Sequence, residues 1–504
     1  MDVGRALIGK LAELDRASRS DSILSRRRLL FGGAAALGAL AGRAKEANAA
    51  PSQAQLRFLV DRLTFGWTQE EQTLAESLGY HQYLEHHLNP SGIDDSALAN
   101  RLSSYQYLGL LPYLAHLLVN VSLAYYQLYE AAVLRATYSK RQLYEKMVEF
   151  WSDHFNIFLF MGDCAWVKNW EDEHVIRPHA MGKFRDLLSA SMHSGCMLHY
   201  LNNELSVVGN QNENYARELL ELHTMGVDGG YTQQDVVEVA RCLTGWSFYR
   251  YYSDGPLIKM FRFVPQNHDY GPKTVLGHAI PAGQGIEDGE MVCNILASHP
   301  STARFISTKL CKKFWSENPP SSLVDAVTAT YLATDGDIKS MLRTIFTTLD
   351  PLTADPKFKR PFDLAVSSLR VTNANYDSTG NPVSQAMLDQ LISMGQLPFN
   401  WAPPDGYPDR MDFWVGLPLA RWNYGAALLN NQIQSVIVDV NQFFGNATTA
   451  DAMVNRINLK MFGGLLSSEE RLLIRDYLAT NPGSETTRRE AISLAIAAPT
   501  FQWY

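Results

Sequence analysis

Apolar residues recur at helical spacing through most of the chain. Between Lys140 and Phe155, Leu143, Met147, Phe150 and His154 fall on one stripe, which predicts a helix with His154 turned inward. Pro178 suits a first helical turn and predicts a helix running to about His193. Thr232 with Asp235 has the spacing of a capping box and opens a helix that Gly245 ends. The stretches Leu323 to Thr348 and Glu469 to Leu478 also carry helical periodicity. Strand signals are few: Lys259 to Val264 and Val275 to Ile280 read as the two arms of one small hairpin. Asn375 to Pro382 and Pro398 to Asp409 are turn-rich loops. The pattern predicts a mainly α protein: a large helical core, a small β excursion near residues 250–280, and a helical C-terminal portion. Residues 1–49 stand apart as a leader, and a division into 50–350 and 351–504 falls in the turn region from Asp350 to Lys359.

One helical segment breaks the apolar pattern with polar groups. Asn212 to His223 holds three carboxylates, an arginine, two asparagines and a histidine. Asn214, Glu218 and Glu221 share a stripe, with Arg217 at its edge, while Leu219 and Leu222 point toward a core. His223 lies on that apolar side, or leaves the helix if Gly226 caps it. Such a stripe is either a solvated surface face or a set of buried groups that are paired or bind something, because burying them alone is costly.

The N-terminus adds a destination. Ser25-Arg26-Arg27-Arg28-Leu29-Leu30 resembles a twin-arginine export signal. The Ala/Gly-rich run from Leu29 to Ala41 is too short to span a bilayer, and Ala47-Asn48-Ala49 offers a cleavage site. An amphipathic tail or an uncleaved anchor is the alternative. The expected destination is the periplasm or the exterior, reached through the twin-arginine machinery, which carries folded and often cofactor-loaded proteins. Residues 1–49 contain nine basic and five acidic residues, so their removal takes the formal charge from −8 to −12. That acidity argues against nucleic acid as a partner. Five cysteines are widely spaced without a CxxC pair, so they permit up to two disulfides or remain as buried thiols.

Several blocks together resemble a bacterial family defined as domain of unknown function 1800. They are Phe150-Trp151-Ser152-Asp153-His154-Phe155, Ile176-Arg177-Pro178-His179-Ala180, Phe184-Arg185-Asp186-Leu187-Leu188, the Asn212 to Val227 stretch, Tyr231 to Arg241 with Leu243-Thr244-Gly245-Trp246, and His268-Asp269 with Gly271 and Lys273-Thr274. Met394-Gly395-Gln396 and Ala497 to Phe501 extend the resemblance to the C-terminus. It implies membership of a family and a set of site residues, but no reaction.

Within those blocks the histidines and carboxylates suggest a metal. His154 is either a hydrogen-bonded core residue or a ligand. His179 near a helix start is disfavoured from protonation, leaving a nitrogen for metal. Glu218 and His223 complete an expected set of His154, His179, Glu218 and His223 for zinc, iron or manganese. Glu218 and His223 stand about 140° apart at roughly 3.6 residues per turn, so they meet only if the helix distorts. Glu218 and Arg217 are expected to face inward near His154. Glu221, Arg217, His268 and Asp269 are the expected acid–base and orienting groups, although Arg177, Arg217 and Arg241 can equally be structural pairs. The loop with Phe399, Trp401, Pro403, Pro404, Tyr407, Pro408 and Trp414 packs on helices or offers flat faces to a carbohydrate. The expectation is an exported metal-dependent enzyme, oxidoreductase ahead of hydrolase. The rival is a non-catalytic envelope protein that binds polysaccharide or a protein partner.

Overall fold

The computed structural model describes residues 52–114, 121–250, 258–377 and 385–504. The arginine-rich leader therefore lies outside the described residues. The fold is mainly α, with three two-stranded antiparallel sheets. None of the described helices is long and apolar enough to cross a membrane.

The chain forms two compact units that do not follow a single break in sequence. One collects residues 52–84, 356–377 and 415–504; the other collects residues 85–355 and the described residues up to Trp414. Besides the change near residue 350, the chain passes between units at three further points, because helices distant in sequence bury their apolar faces together. In the first unit, helix Pro418–Leu429 packs on Glu485–Ala497, and Gln53–Leu63 packs on Gln69–Leu78. The Ser52/Gln55 pair makes a reciprocal capping box on the first of these.

The second unit carries the histidine blocks. Its helices Glu287–Ser298, Pro300–Phe314, Ser321–Thr334 and Ile338–Thr347 pack in succession. The break between the last two comes at Asp335 and Gly336, both at positive φ, where a continuous helix was expected. Helix Gln142–His154 matches its predicted span, and Leu143, Met147 and Trp151 are fully buried. The Thr232/Asp235 capping box is present and opens helix Gln233–Cys242.

Two local expectations change. The β excursion is two hairpins: Trp246–Phe248 pairs with Phe261–Phe263, and Lys273–Val275 pairs with His278–Ile280. The run Val275 to Ile280 is interrupted because Leu276 (φ 51°) and Gly277 (φ 79°) form a tight turn inside it. The helix expected from Pro178 to His193 is also split. Helix Cys164–Glu171 continues through a π-helical turn, Asp172–Ile176, to Arg177–His179, and a separate helix covers Phe184–Met192. Pro178 has no N–H to donate, and Arg177 N already bonds five residues back to Asp172 O. His179 therefore closes a helical run instead of opening one, and the helix-start effect expected on its ring does not apply.

Candidate functional site

A second π turn, Leu219–Thr224, interrupts the polar helix that begins at Glu213–Glu218. Met225 N donates to Leu220 O at 2.8 Å and Thr224 Oγ1 to Leu219 O at 2.6 Å, both spanning five residues. The extra residue rotates everything after Glu218. Leu219, Leu220 and His223 are buried, while Leu222, expected in the core, is half-buried. Such turns occur often at functional sites.

His223 is fully enclosed, its ring 5.2 Å from Phe155 and 6.4 Å from Tyr215. Neither ring nitrogen has a hydrogen-bond partner, nor does the Tyr215 hydroxyl. Burial first, then the nearby charge of Lys309, pushes the His223 imidazole down to about 3.

His154, at the end of its helix, lies 6.2 Å from the His223 ring and inside a cage of Phe150, Trp151, Phe155, Phe184 and Phe305. Its Nε2 is 3.0 Å from the carbonyl oxygen of His223, and its Nδ1 is 2.9 Å from Lys309 Nζ. A carbonyl only accepts, so the hydrogen belongs on Nε2, leaving Nδ1 to accept from the lysine. The ring is thereby fixed as the neutral Nε2–H form. Its basicity falls well below the ordinary range because it is buried, with Lys309 and His223 beside it adding to the effect.

Lys309 sits on helix Pro300–Phe314, one turn after Phe305, whose ring centre is 5.6 Å from Nζ. One turn further, Lys313 pairs with Glu149 at 2.6 Å, which locks this helix alongside Gln142–His154. Burial lowers Lys309 to about 8, against the opposing charges of Asp153, Asp405 and Asp409 and with help from Lys312. The sequence reading passed over this lysine. Its only signal was a cation one turn from Phe305 on a helix whose Ile306 and Leu310 face the core.

The aromatic loop closes over the same place. Asn156 Nδ2 donates to the carbonyls of Trp401 and Pro403 at 2.8 and 2.7 Å, and the Tyr200 hydroxyl donates to Ala402 O at 2.6 Å. Phe399, at φ 60°, wedges between the Tyr129 ring and the Lys168 ammonium. Tyr407 and Trp414 thus pack as core, whereas Phe399 and Trp401 stay half-exposed, the Trp401 Nε1 bonded to Asp405 at 2.8 Å. Asp405 is near enough to Lys309, Tyr200 and Glu218 to act on each electrostatically. Gly406, at φ 76°, allows this approach: a Cβ there would stand 2.1 Å from Asp153 O. Gly406→Ala is expected to destabilise by about 1–3 kcal/mol and to loosen the loop. Faster amide exchange across 399–409 with the helices still protected is the check.

Glu218 is half-buried and has no hydrogen-bond partner among the described residues. Its carboxyl is raised by burial and by Glu221, against Arg217, with Asp405 raising it further. Glu221 accepts from the Tyr231 hydroxyl at 3.2 Å. Arg217, expected to face inward, is instead 41 % exposed and pairs with Glu213 at 3.2 Å, because it precedes the π turn and keeps the outward register. Arg177 and Arg241 are structural pairs, the first with Glu145 at 2.6 Å, the second with Glu238 at 2.9 Å and Asp269 at 2.8 Å.

His268 and Asp269, expected to do acid–base work, belong to a closed network. His268 Nδ1 is 2.8 Å from Thr244 O, and Nε2 is 3.1 Å from Asp288 Oδ2, which Lys273 also meets at 2.6 Å. The side chains of His268, Asp288 and Lys273 are sealed from solvent, so no substrate reaches the ring. The role these contacts define is to anchor the second hairpin to helix Glu287–Ser298.

The four expected ligands His154, His179, Glu218 and His223 do not gather into one sphere: among the described residues no group of three or more His, Cys, Asp or Glu is arranged to hold a metal ion. Both nitrogens of His154 are occupied, and Glu218 is half-buried while His223 is fully enclosed. All five cysteines, Cys164, Cys196, Cys242, Cys293 and Cys311, are buried free thiols.

These features define a mainly α protein with a lysine–histidine pair beneath a clamped aromatic loop. The family model described as a protein of unknown function (DUF1800) matches residues 58–503, and the chain belongs to that family. Neither a curated protein nor a solved structure matches it.

Proposed function

We propose that the protein is an exported enzyme that works by acid–base chemistry at Lys309 and Glu218, with hydrolysis as the reaction served. The carrying observation is the 2.9 Å contact from Lys309 Nζ to a neutral His154, with the lysine lowered to about 8. Burial moves the two groups in opposite directions, lysine down and glutamic acid up. Both shifts bring proton exchange nearer neutral pH, where general acids and bases work best. As a free amine Lys309 can take a proton from an attacking water, and protonated Glu218 can give one to a leaving group. His154 is a positioning residue that holds the amine. Export rests on the Arg26-Arg27-Arg28 leader.

The test is competitive acylation of lysines between pH 6 and 11, with each residue read by peptide mass spectrometry. Lys309 is expected to titrate near 8, well apart from the ordinary lysine value. Lys359 is the internal control for shielding: burial lowers it to about 7, yet it is only 5 % exposed, so it should label slowly. A Lys309 midpoint at the ordinary lysine value would overturn the assignment and favour the non-catalytic binding protein.

A second reading keeps the metal. The enclosed, neutral His223 leaves one lone-pair nitrogen without a partner, which zinc, iron or manganese would take up. On that reading chelation lowers the melting temperature and added cation raises it, and His223→Gln abolishes both responses. Melting indifferent to chelator and cation rejects it.

A further inference from the structure

The loop above Lys309 carries more recognition chemistry than proton transfer needs. Trp401 is held at its indole nitrogen by Asp405, so a carboxylate stands at the edge of a half-exposed flat ring. Tyr407 and Phe413 brace that ring at 5.0 and 5.8 Å, leaving it little freedom to turn. The surrounding charge is one-sided: Asp153, Asp405 and Asp409 act on Lys309, while Glu221 and Asp405 act on Glu218. The cations acting on these groups are Lys309 itself, exposed Lys312, and Arg217, which is tied to Glu213, while Arg410 on the same loop is tied to Asp412. An anionic ligand is disfavoured there.

A flat apolar face with a carboxylate at its rim suits a ring that is apolar above and below and polar around its equator. A pyranose is such a ring, and an ammonium on its rim adds charge pairing and attraction to the indole face. A flexible polyamine or lysine-rich peptide answers the carboxylates but has no apolar ring face to present. We infer that this loop takes a saccharide bearing free amino groups, stacked on Trp401 with an ammonium group directed at Asp405. This rests on the acid–base reading of the same site.

The experiment measures binding calorimetrically in full-length Lys309→Met, so that turnover does not intervene. The probes are a glucosamine tetramer, its fully N-acetylated form, a neutral glucose tetramer and a tetralysine peptide. The glucosamine tetramer is expected to bind at least tenfold more tightly than the other three. Trp401→Ala and Asp405→Asn should each weaken it about tenfold, and added salt should weaken it as well. Trp401→Phe, which keeps a ring, should retain most of the binding and guards against a folding defect. Equal binding of the acetylated or neutral tetramer would overturn the charge assignment. Equal binding of tetralysine, or indifference to Trp401→Ala, would overturn the saccharide, and so would absence of all binding. In each of those cases a Lys309 midpoint near 8 still stands, which separates failure of the ligand from failure of the chemistry.

Discussion

Acidification from pH 7 to pH 4 is expected to remove about 3 kcal/mol of stability through His223 alone. The imidazole is neutral in the fold and held at about 3, while in the unfolded chain it protonates near 6.5. Between those values the unfolded state binds the extra proton, so stability falls as pH drops through the window and levels off below about 3. His154 is lowered in the same direction and adds to the loss. Glu171, Asp172 and Glu218 are raised by burial first and act with the opposite sign. For that reason the quantity to read is the difference between wild type and His223→Gln. Urea midpoints at pH 7, 5.5 and 4 should give the variant a visibly flatter dependence. Parallel pH profiles would mean that His223 is not an enclosed neutral ring.

The second large effect lies in the sealed network. Asp288→Ala is expected to cost about 3–5 kcal/mol, because it removes the carboxylate that the buried Lys273 ammonium and His268 ring share, leaving the ammonium only the carbonyls of Asp269 and Gly271. Both reach Asp288 Oδ2, at 2.6 and 3.1 Å, with side chains fully excluded from solvent. Asp288→Asn keeps the shape but not the charge and should still be destabilised. The double change Lys273→Met with Asp288→Leu should recover much of the loss, since replacing a buried pair by apolar groups is far milder than breaking it. Urea unfolding of the three variants measures this. A cost below about 1 kcal/mol for Asp288→Ala would place the network outside the stability of the fold. Either result bears on His268, whose neighbours leave no room for a substrate.

Local chemistry made much of the molecule legible. The stripe of Leu143, Met147, Phe150 and His154 specified both a helix and its buried face, and the Thr232/Asp235 spacing specified a helix start. Those signals depend on neighbours within one turn, so they survive any tertiary context. The block from Asn212 to His223 also marked the right region, and the family membership follows from the sequence alone. The identity of the working groups did not. A periodic reading assumes one helical register, yet the π turns at 172–176 and 219–224 each insert a residue. The second rotates Leu222 outward; the first ends its run at His179 and separates it from the helix it was expected to open.

Lys309 was illegible for a different reason. Its lowered basicity comes from burial first, among neighbours that include His154, 155 positions away in sequence, and a lysine reads as surface until its neighbours are known. The loop of Phe399 and Trp401 is likewise held in place only through Tyr129, Asn156 and Tyr200, none of them near it in sequence. The sequence by itself determined the mainly α class, the starts and buried faces of helices such as Gln142–His154 and Gln233–Cys242, and the family. Tertiary packing alone decided which titratable groups lie together in low dielectric, because desolvation depends on neighbours brought together across the chain.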